Sequence, residues 1–179
     1  MQRLLHELLM LRQSFLTLVL LFATLALQAQ TQFHDNAVNE VKGKVKSITT
    51  TAMGLSQTIT FTSEGKMQQE GMTAAVYDTD GYLQSYSITA NGHTYDFKLS
   101  WENGVVKSQD MTAMGQTFKT SYQYDDKGNV SSMTHHRMGV EMTVPINILE
   151  CDPHNNWIRR SVTFMGVTSP QTRTIEYYE

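Results

Sequence analysis

The sequence predicts an all-β fold: an antiparallel meander of about eleven strands, built from repeated hairpins and curled into an open or closed barrel-like sheet. Three observations predict it. Glycines recur at 81, 92, 104, 115 and 128, a spacing of 11 to 13 residues. The stretches between them alternate apolar and polar residues, the period of a strand with one buried face. No segment after residue 30 carries a helical period.

Residues 1–29 differ from the rest. Arg3 and Arg12 lead into an apolar run, FLTLVLLFATLA from Phe15 to Ala26, and Ala29 closes the segment. A charged lead, a short apolar core and a small-residue exit are the parts of a secretory signal peptide. The run is shorter than the ~20 apolar residues of a membrane span. The expectation is therefore an exported chain, periplasmic or extracellular, with no membrane span once mature. Cleavage would remove Arg3, Arg12 and Glu7, changing the net charge from −3 to −4. That mild, mixed charge excludes a basic footprint for nucleic acid. The single cysteine, Cys151, excludes a disulfide within the chain and reads as a small apolar strand residue.

Residues 30–42 are polar and form a leader into the β domain, 43–179. The first unit, with glycines at 43, 54 and 65, is rich in threonine, which favours a pleated surface. A shorter unit follows, with a turn near Gly71. From His93 the odd positions His93, Tyr95, Phe97, Leu99 and Trp101 form one face, and Thr94, Asp96, Lys98 and Ser100 the other. The strand at 117–124 repeats the pattern, with Phe118, Tyr122 and Tyr124 inward; the alternation at 105–113 is weaker. Val140, Met142, Val144, Ile146 and Ile148 share a face, where Pro145 predicts an edge, a bulge or a local break. The last unit, from Asn156, ends in a strand.

The turns divide into two kinds. Asn91-Gly92 is a two-residue hairpin signal, since both residues tolerate positive φ. The Met-Gly pairs at 53, 114, 138 and 165 predict a type I turn with a glycine bulge instead, because Met resists positive φ. Asp78-x-x-Gly81 and Asp125-x-x-Gly128 predict turns in which Asp accepts from the backbone two residues on.

Tyr77-Asp78-x-x-Gly81 and Tyr122-x-Tyr124-Asp125-x-x-Gly128-Asn129 resemble the YD repeats of Rhs-type bacterial exported proteins, with Asn155-Asn156-Trp157 as a degenerate copy. The resemblance covers roughly residues 43–179. It implies a curled antiparallel shell at the cell surface and no shared active site.

Candidate sites are few. The Asp turns could offer oxygen ligands to calcium, but turn chemistry alone accounts for them. His135 and His136 point to opposite faces of a strand and cannot chelate one ion together. No nucleophile–base pair appears, and Glu141, Glu150 and Asp152 could meet only by accident of folding, so neither an enzyme nor a cofactor is expected. Two readings remain. A non-catalytic binding or scaffold module at the envelope would engage a glycan or an envelope protein through aromatics such as Tyr95, Trp101 and Trp157. A periplasmic carrier would hold a lipid or other apolar ligand against Phe97, Leu99, Phe118 and Val144. A hollow interior favours the carrier and a filled one the scaffold. The Met-Gly tips could also line one rim of the sheet and meet an apolar partner.

Overall fold

The computed structural model describes residues 32–137 and 139–179. The expected signal segment and Met138 lie outside the described residues. A single turn of helix, α1 (Asp35–Val38), precedes twelve antiparallel strands. These are β1 (Val45–Ala52), β2 (Leu55–Phe61), β3 (Met67–Gln68), β4 (Met72–Tyr77), β5 (Leu83–Ala90) and β6 (His93–Glu102). They continue as β7 (Val105–Ala113), β8 (Gln116–Tyr124), β9 (Val130–Arg137), β10 (Val140–Cys151), β11 (Trp157–Phe164) and β12 (Val167–Tyr177). The strand beyond the expected eleven is the two-residue β3.

The sheet order is β3-β2-β1-β12-β11-β10-β9-β8-β7-β6-β5-β4. Every strand pairs with its sequence neighbour except at β3/β4, and β1 joins β12 across the ends of the β domain. The result is a nearly closed, barrel-like ring with one seam, between β3 and β4. Residues 69–71 cross that seam. Gly71 accepts a hydrogen bond from the Thr89 N–H at 3.0 Å. A Cβ on Gly71 would meet the Thr89 carbonyl oxygen at 2.2 Å, so no larger residue fits this crossing.

At its other end the seam is bridged by the leader. Phe33 N–H donates to the Glu64 carbonyl at 2.9 Å, and His34 N–H to the Gly81 carbonyl at 3.2 Å. Asp35 Oδ2 accepts from the Met67 N–H on β3 and from the Tyr77 hydroxyl on β4, both at 2.7 Å. One carboxylate thus joins the two unpaired edges.

Because the strands alternate in direction, their connections fall at two ends with different chemistry. At one end lie loops of one recurring form, together with the two-residue β6–β7 turn at Asn103-Gly104. Asp78 Oδ1 accepts from the N–H groups of Asp80 and Tyr82, Asp125 Oδ1 from Lys127 and Asn129, and Asp152 Oδ1 from His154 and Asn156. Gly81, Gly128 and Asn155 take the positive φ of each loop, so the degenerate copy keeps the geometry. A fourth copy is hidden in sequence. Thr62 replaces Asp, its N–H donates to the Lys66 carbonyl, its Oγ1 accepts from the Lys66 N–H, and Gly65 has φ 86°.

At the opposite end the connections are two-residue hairpins, apart from the 69–71 crossing. Met53, Met114 and Met165 have φ of 50°, 49° and 50°, each followed by a glycine near +76°, as in Asn91-Gly92. These are type I′ turns, not the expected type I turn with a bulge. The strand twist selects the primed turn regardless of residue, and Met adopts a conformation it disfavours. Behind each tip sits a hydroxyl pair facing outward: Thr51–Ser56, Thr89–Thr94, Thr112–Thr117 and Thr163–Thr168, at 2.8 to 3.2 Å. His136 and Glu141 occupy the same place on the β9–β10 hairpin, 3.1 Å apart. Such cross-strand pairs contribute about 0.2–1 kcal/mol each and pin the register.

Pro145 marks a local break. Residues 140–145 of β10 pair with β9, and residues 146–151 pair with β11. The missing N–H falls where the strand changes partner.

Candidate functional site

The inner face is packed at the end carrying the Asp loops. Val45, Ile48, Phe61, Met67, Leu83, Tyr86, Leu99 and Val106 are buried there around Val41 of the leader. On the facing wall Trp157 is fully buried, with the Arg160 and Arg173 guanidiniums 4.0 and 3.7 Å from the centroid of its ring. Glu40, also from the leader, accepts from Trp157 Nε1 at 3.2 Å and from Arg160 at 2.9 Å. Arg173 donates to the Glu40 carbonyl. Burial lowers the Arg173 pKa to about 10, with the Arg160 charge adding to that shift and Glu40 opposing it. Asn156 holds the next residue of the leader, accepting from the Lys42 N–H and donating to its carbonyl. The leader therefore runs across this end from the seam to β11 and plugs it.

Two carboxylates in this plugged half titrate in opposite directions. Burial raises Asp35 above its usual range, although the Met67 and Tyr77 hydrogen bonds partly offset it. Burial also acts to raise Asp152, but hydrogen bonds from the Tyr177 hydroxyl and the Asn156 and His154 N–H groups win and hold it below.

The other half of the ring is open. Gln109 and Met111 of β7, Phe118 and Thr120 of β8, His135 and Arg137 of β9, and Val140 and Met142 of β10 line a cavity of about 560 Å³. The ladder register puts these eight on the same face as buried Leu99 and Tyr86, which is the inner face, and the two other lining residues, Lys119 and His136, on the opposite face. They come from the halves of the strands nearest the methionine tips, so the cavity lies beneath that mouth. The wall is mostly apolar. Its inward polar groups are the Gln109 side chain, the His135 Nδ1–Thr120 Oγ1 pair at 3.0 Å and the Arg137 guanidinium, 5.1 Å from the centroid of the Phe118 ring. A cation over an aromatic face beside an apolar wall suits a ligand with an apolar body and a polar or anionic end.

The residues singled out from sequence divide between the two halves. Phe118 lines the cavity. Tyr95 and Phe97 are half-buried on the same inner face, and Phe97 stacks on Tyr86 with 4.7 Å between ring centroids. Leu99 and Val144 are buried. Trp101 is half-buried, with Nε1 donating to the Leu83 carbonyl at 2.8 Å, and Trp157 is wholly internal. Trp157 belongs to the packed interior and offers no aromatic surface to a glycan, whereas Trp101 keeps part of its ring exposed. Met111, Met142, Gln109, His135 and Arg137 were not anticipated as wall residues. The weak alternation at 105–113 was the available signal, because strands facing a cavity need not be strictly apolar inside.

Among the described residues no group of three or more His, Cys, Asp or Glu side chains could hold a metal ion. His135 faces in toward Thr120, while His136 faces out toward Ser121 and Glu141. Cys151 is exposed, against the apolar burial expected of it. The register of β10 against β11 shifts between Ile148 and Cys151, and residues 149–151 all stand exposed at this strand end. No family model matches the chain, and no curated protein matches its sequence.

Proposed function

We propose that this chain is an exported, non-catalytic carrier that holds an apolar or amphiphilic ligand, such as a lipid, in the open half of its barrel. The observation that carries the reading is the 560 Å³ apolar cavity beneath the methionine tips. Strand number supplies its physical basis. About eight strands make a ring that side chains can fill, and diameter grows with strand number. A ring of twelve strands has more interior than its own side chains occupy. The leader fills one half, and the other stays hollow. The apolar body of the ligand would lie against Phe118, Met111 and Met142, with a polar end at Arg137. The alternative, an envelope scaffold engaging a glycan or protein, draws support from the solid half of the barrel, but of its tryptophans Trp157 is internal and Trp101 half-buried. Kinship with YD-repeat proteins is part of the proposal and rests on the four Asp- or Thr-headed loops.

The test is native mass spectrometry of the protein purified from its own envelope, beside a Met142→Arg variant that places a charge on the cavity wall. The expected result is a reproducible adduct of lipid mass on the parent that is lost in the variant. A parent without adduct, which also fails to take up a fluorescent fatty acid analogue, would exclude the carrier.

A further inference from the structure

We infer that the methionine-bearing rim is a docking surface for an uncharged lipid interface. The hairpins β1–β2, β5–β6, β7–β8, β9–β10 and β11–β12 all turn at this end of the ring. Met53, Met114 and Met165 are 84, 78 and 81% exposed at three of the tips. Leu55, Phe164, Val167 and Val140 stand exposed beside them.

Three arguments converge on a partner outside the fold. The first is conformational. Each methionine adopts a φ near +50°, a left-handed conformation disfavoured for residues other than Gly, Asn and Asp. Asn91 makes the same turn with φ 51° at lower cost, so the turn itself does not require Met. Being exposed, the methionine side chains gain little packing in return. The second is charge. At this end residues 52–55, 90–93, 113–116 and 164–167 contain no Asp, Glu, Lys or Arg, and the charges are Arg137 beside the β9–β10 turn and Glu70 in the β3–β4 crossing, whereas the opposite end carries Glu64, Lys66, Asp78, Asp80, Asp125 and Asp126. The barrel is thus amphipathic along its axis. The third is shape. The tips are spread around a perimeter that encloses the cavity mouth, not gathered into a patch. A rigid protein must match such a ring point by point, and a second copy would meet it only at the tips. A fluid apolar interface accommodates all the tips at once and brings lipid to the opening.

The inference goes beyond the carrier reading and stands whether or not the cavity is filled. Its test is flotation with neutral phosphatidylcholine vesicles of the protein purified from its envelope, parent and variants processed alike. In the triple variant M53N/M114N/M165N each turn keeps a residue suited to it. The expected result is vesicle binding by the parent that changes little with salt, because no charge pairs form. The triple variant should bind about ten-fold more weakly or worse, from the lost burial of three thioether side chains. Asn91→Met should bind more tightly than the parent. The inference is overturned if the parent does not float, if binding requires anionic lipid, or if the triple variant floats equally well. It is also overturned if the parent dimerises and the triple variant does not, since the rim would then be a self-interface. Loss of lipid adduct in Met142→Arg with vesicle binding intact would separate the cavity from the rim.

Discussion

Replacing the rim methionines by asparagine should stabilise the protein, although it removes three large apolar side chains. In the folded state Met53, Met114 and Met165 sit at φ of 49–50°, within two degrees of Asn91 at the equivalent turn. At about 80% exposure they bury almost nothing that the substitution would expose. What remains is the backbone preference, in which asparagine recovers part of the 1–2 kcal/mol that a left-handed residue costs, or about 0.5 kcal/mol per site. The three tips lie on separate hairpins and share no partner, so the gains should add to about 1.5 kcal/mol. For a unit of this size that corresponds to a rise of about 3–6 °C in Tm. Urea unfolding followed by tryptophan fluorescence is the assay, since Trp157 passes from full burial to water. The midpoint should rise with an unchanged m-value. An unchanged or lower midpoint would refute the reasoning, because the methionines would then be holding their hairpins together. A gain in stability with loss of vesicle binding is the pattern of residues kept for function at a cost to the fold.

Three further outcomes test the frame. Gly71→Ala should destabilise far more than Gly115→Ala, since both have positive φ but only Gly71 faces a backbone oxygen at 2.2 Å. Gly115 has nothing nearby and should cost only about 1 kcal/mol, and equal urea midpoints would refute the seam crossing. Glu40→Ala leaves Arg160 buried without its carboxylate and should cost about 3–5 kcal/mol in urea unfolding, so a near-neutral result would show that the leader does not anchor there. Burial raises Asp35 above its ordinary 3.8, so the folded protein binds that proton more tightly than the unfolded chain. Its contribution is complete below 3.8 and declines as pH rises through the folded pKa. Asp35→Asn removes the decline, so the variant should gain on the parent as pH rises from about 4 to 7. Parallel urea midpoints across that range would count against a buried, ionising Asp35.

The repeat was legible because both of its signals are local. Alternation at 93–101 assigned the inner face of β6 correctly, and the Asp-x-x-Gly pattern predicted hydrogen bonds at Asp78 and Asp125 that form as expected. The misreadings have physical causes. Thr62-x-x-Gly65 was missed because a hydroxyl can stand in for a carboxylate in a turn, which a pattern built on Asp does not detect. The Met-Gly turns were misassigned because intrinsic φ preference was weighed against a strand twist that overrides it. The leader looked featureless because its role is entirely long-range. Asp35 reaches β3 and β4, and Glu40 reaches β11, none of which is encoded in the spacing of residues 32–42.

That hidden role bears on why the barrel is asymmetric. A meander whose first and last long strands pair leaves its only gap wherever the strands are shortest, here between β3 and β4. The segment that closes the gap, residues 33–35, lies at the end carrying the Asp loops. Closing the seam with Phe33, His34 and Asp35, then crossing to Trp157, fills that end and no other. The hollow half and the apolar rim therefore fall together at the opposite end as a consequence of topology. The Asp- and Thr-headed loops stay with the plug, and the methionine-tipped turns stay with the opening. Among the described residues one end of the barrel is left unplugged, and the carrier and docking proposals both use that end.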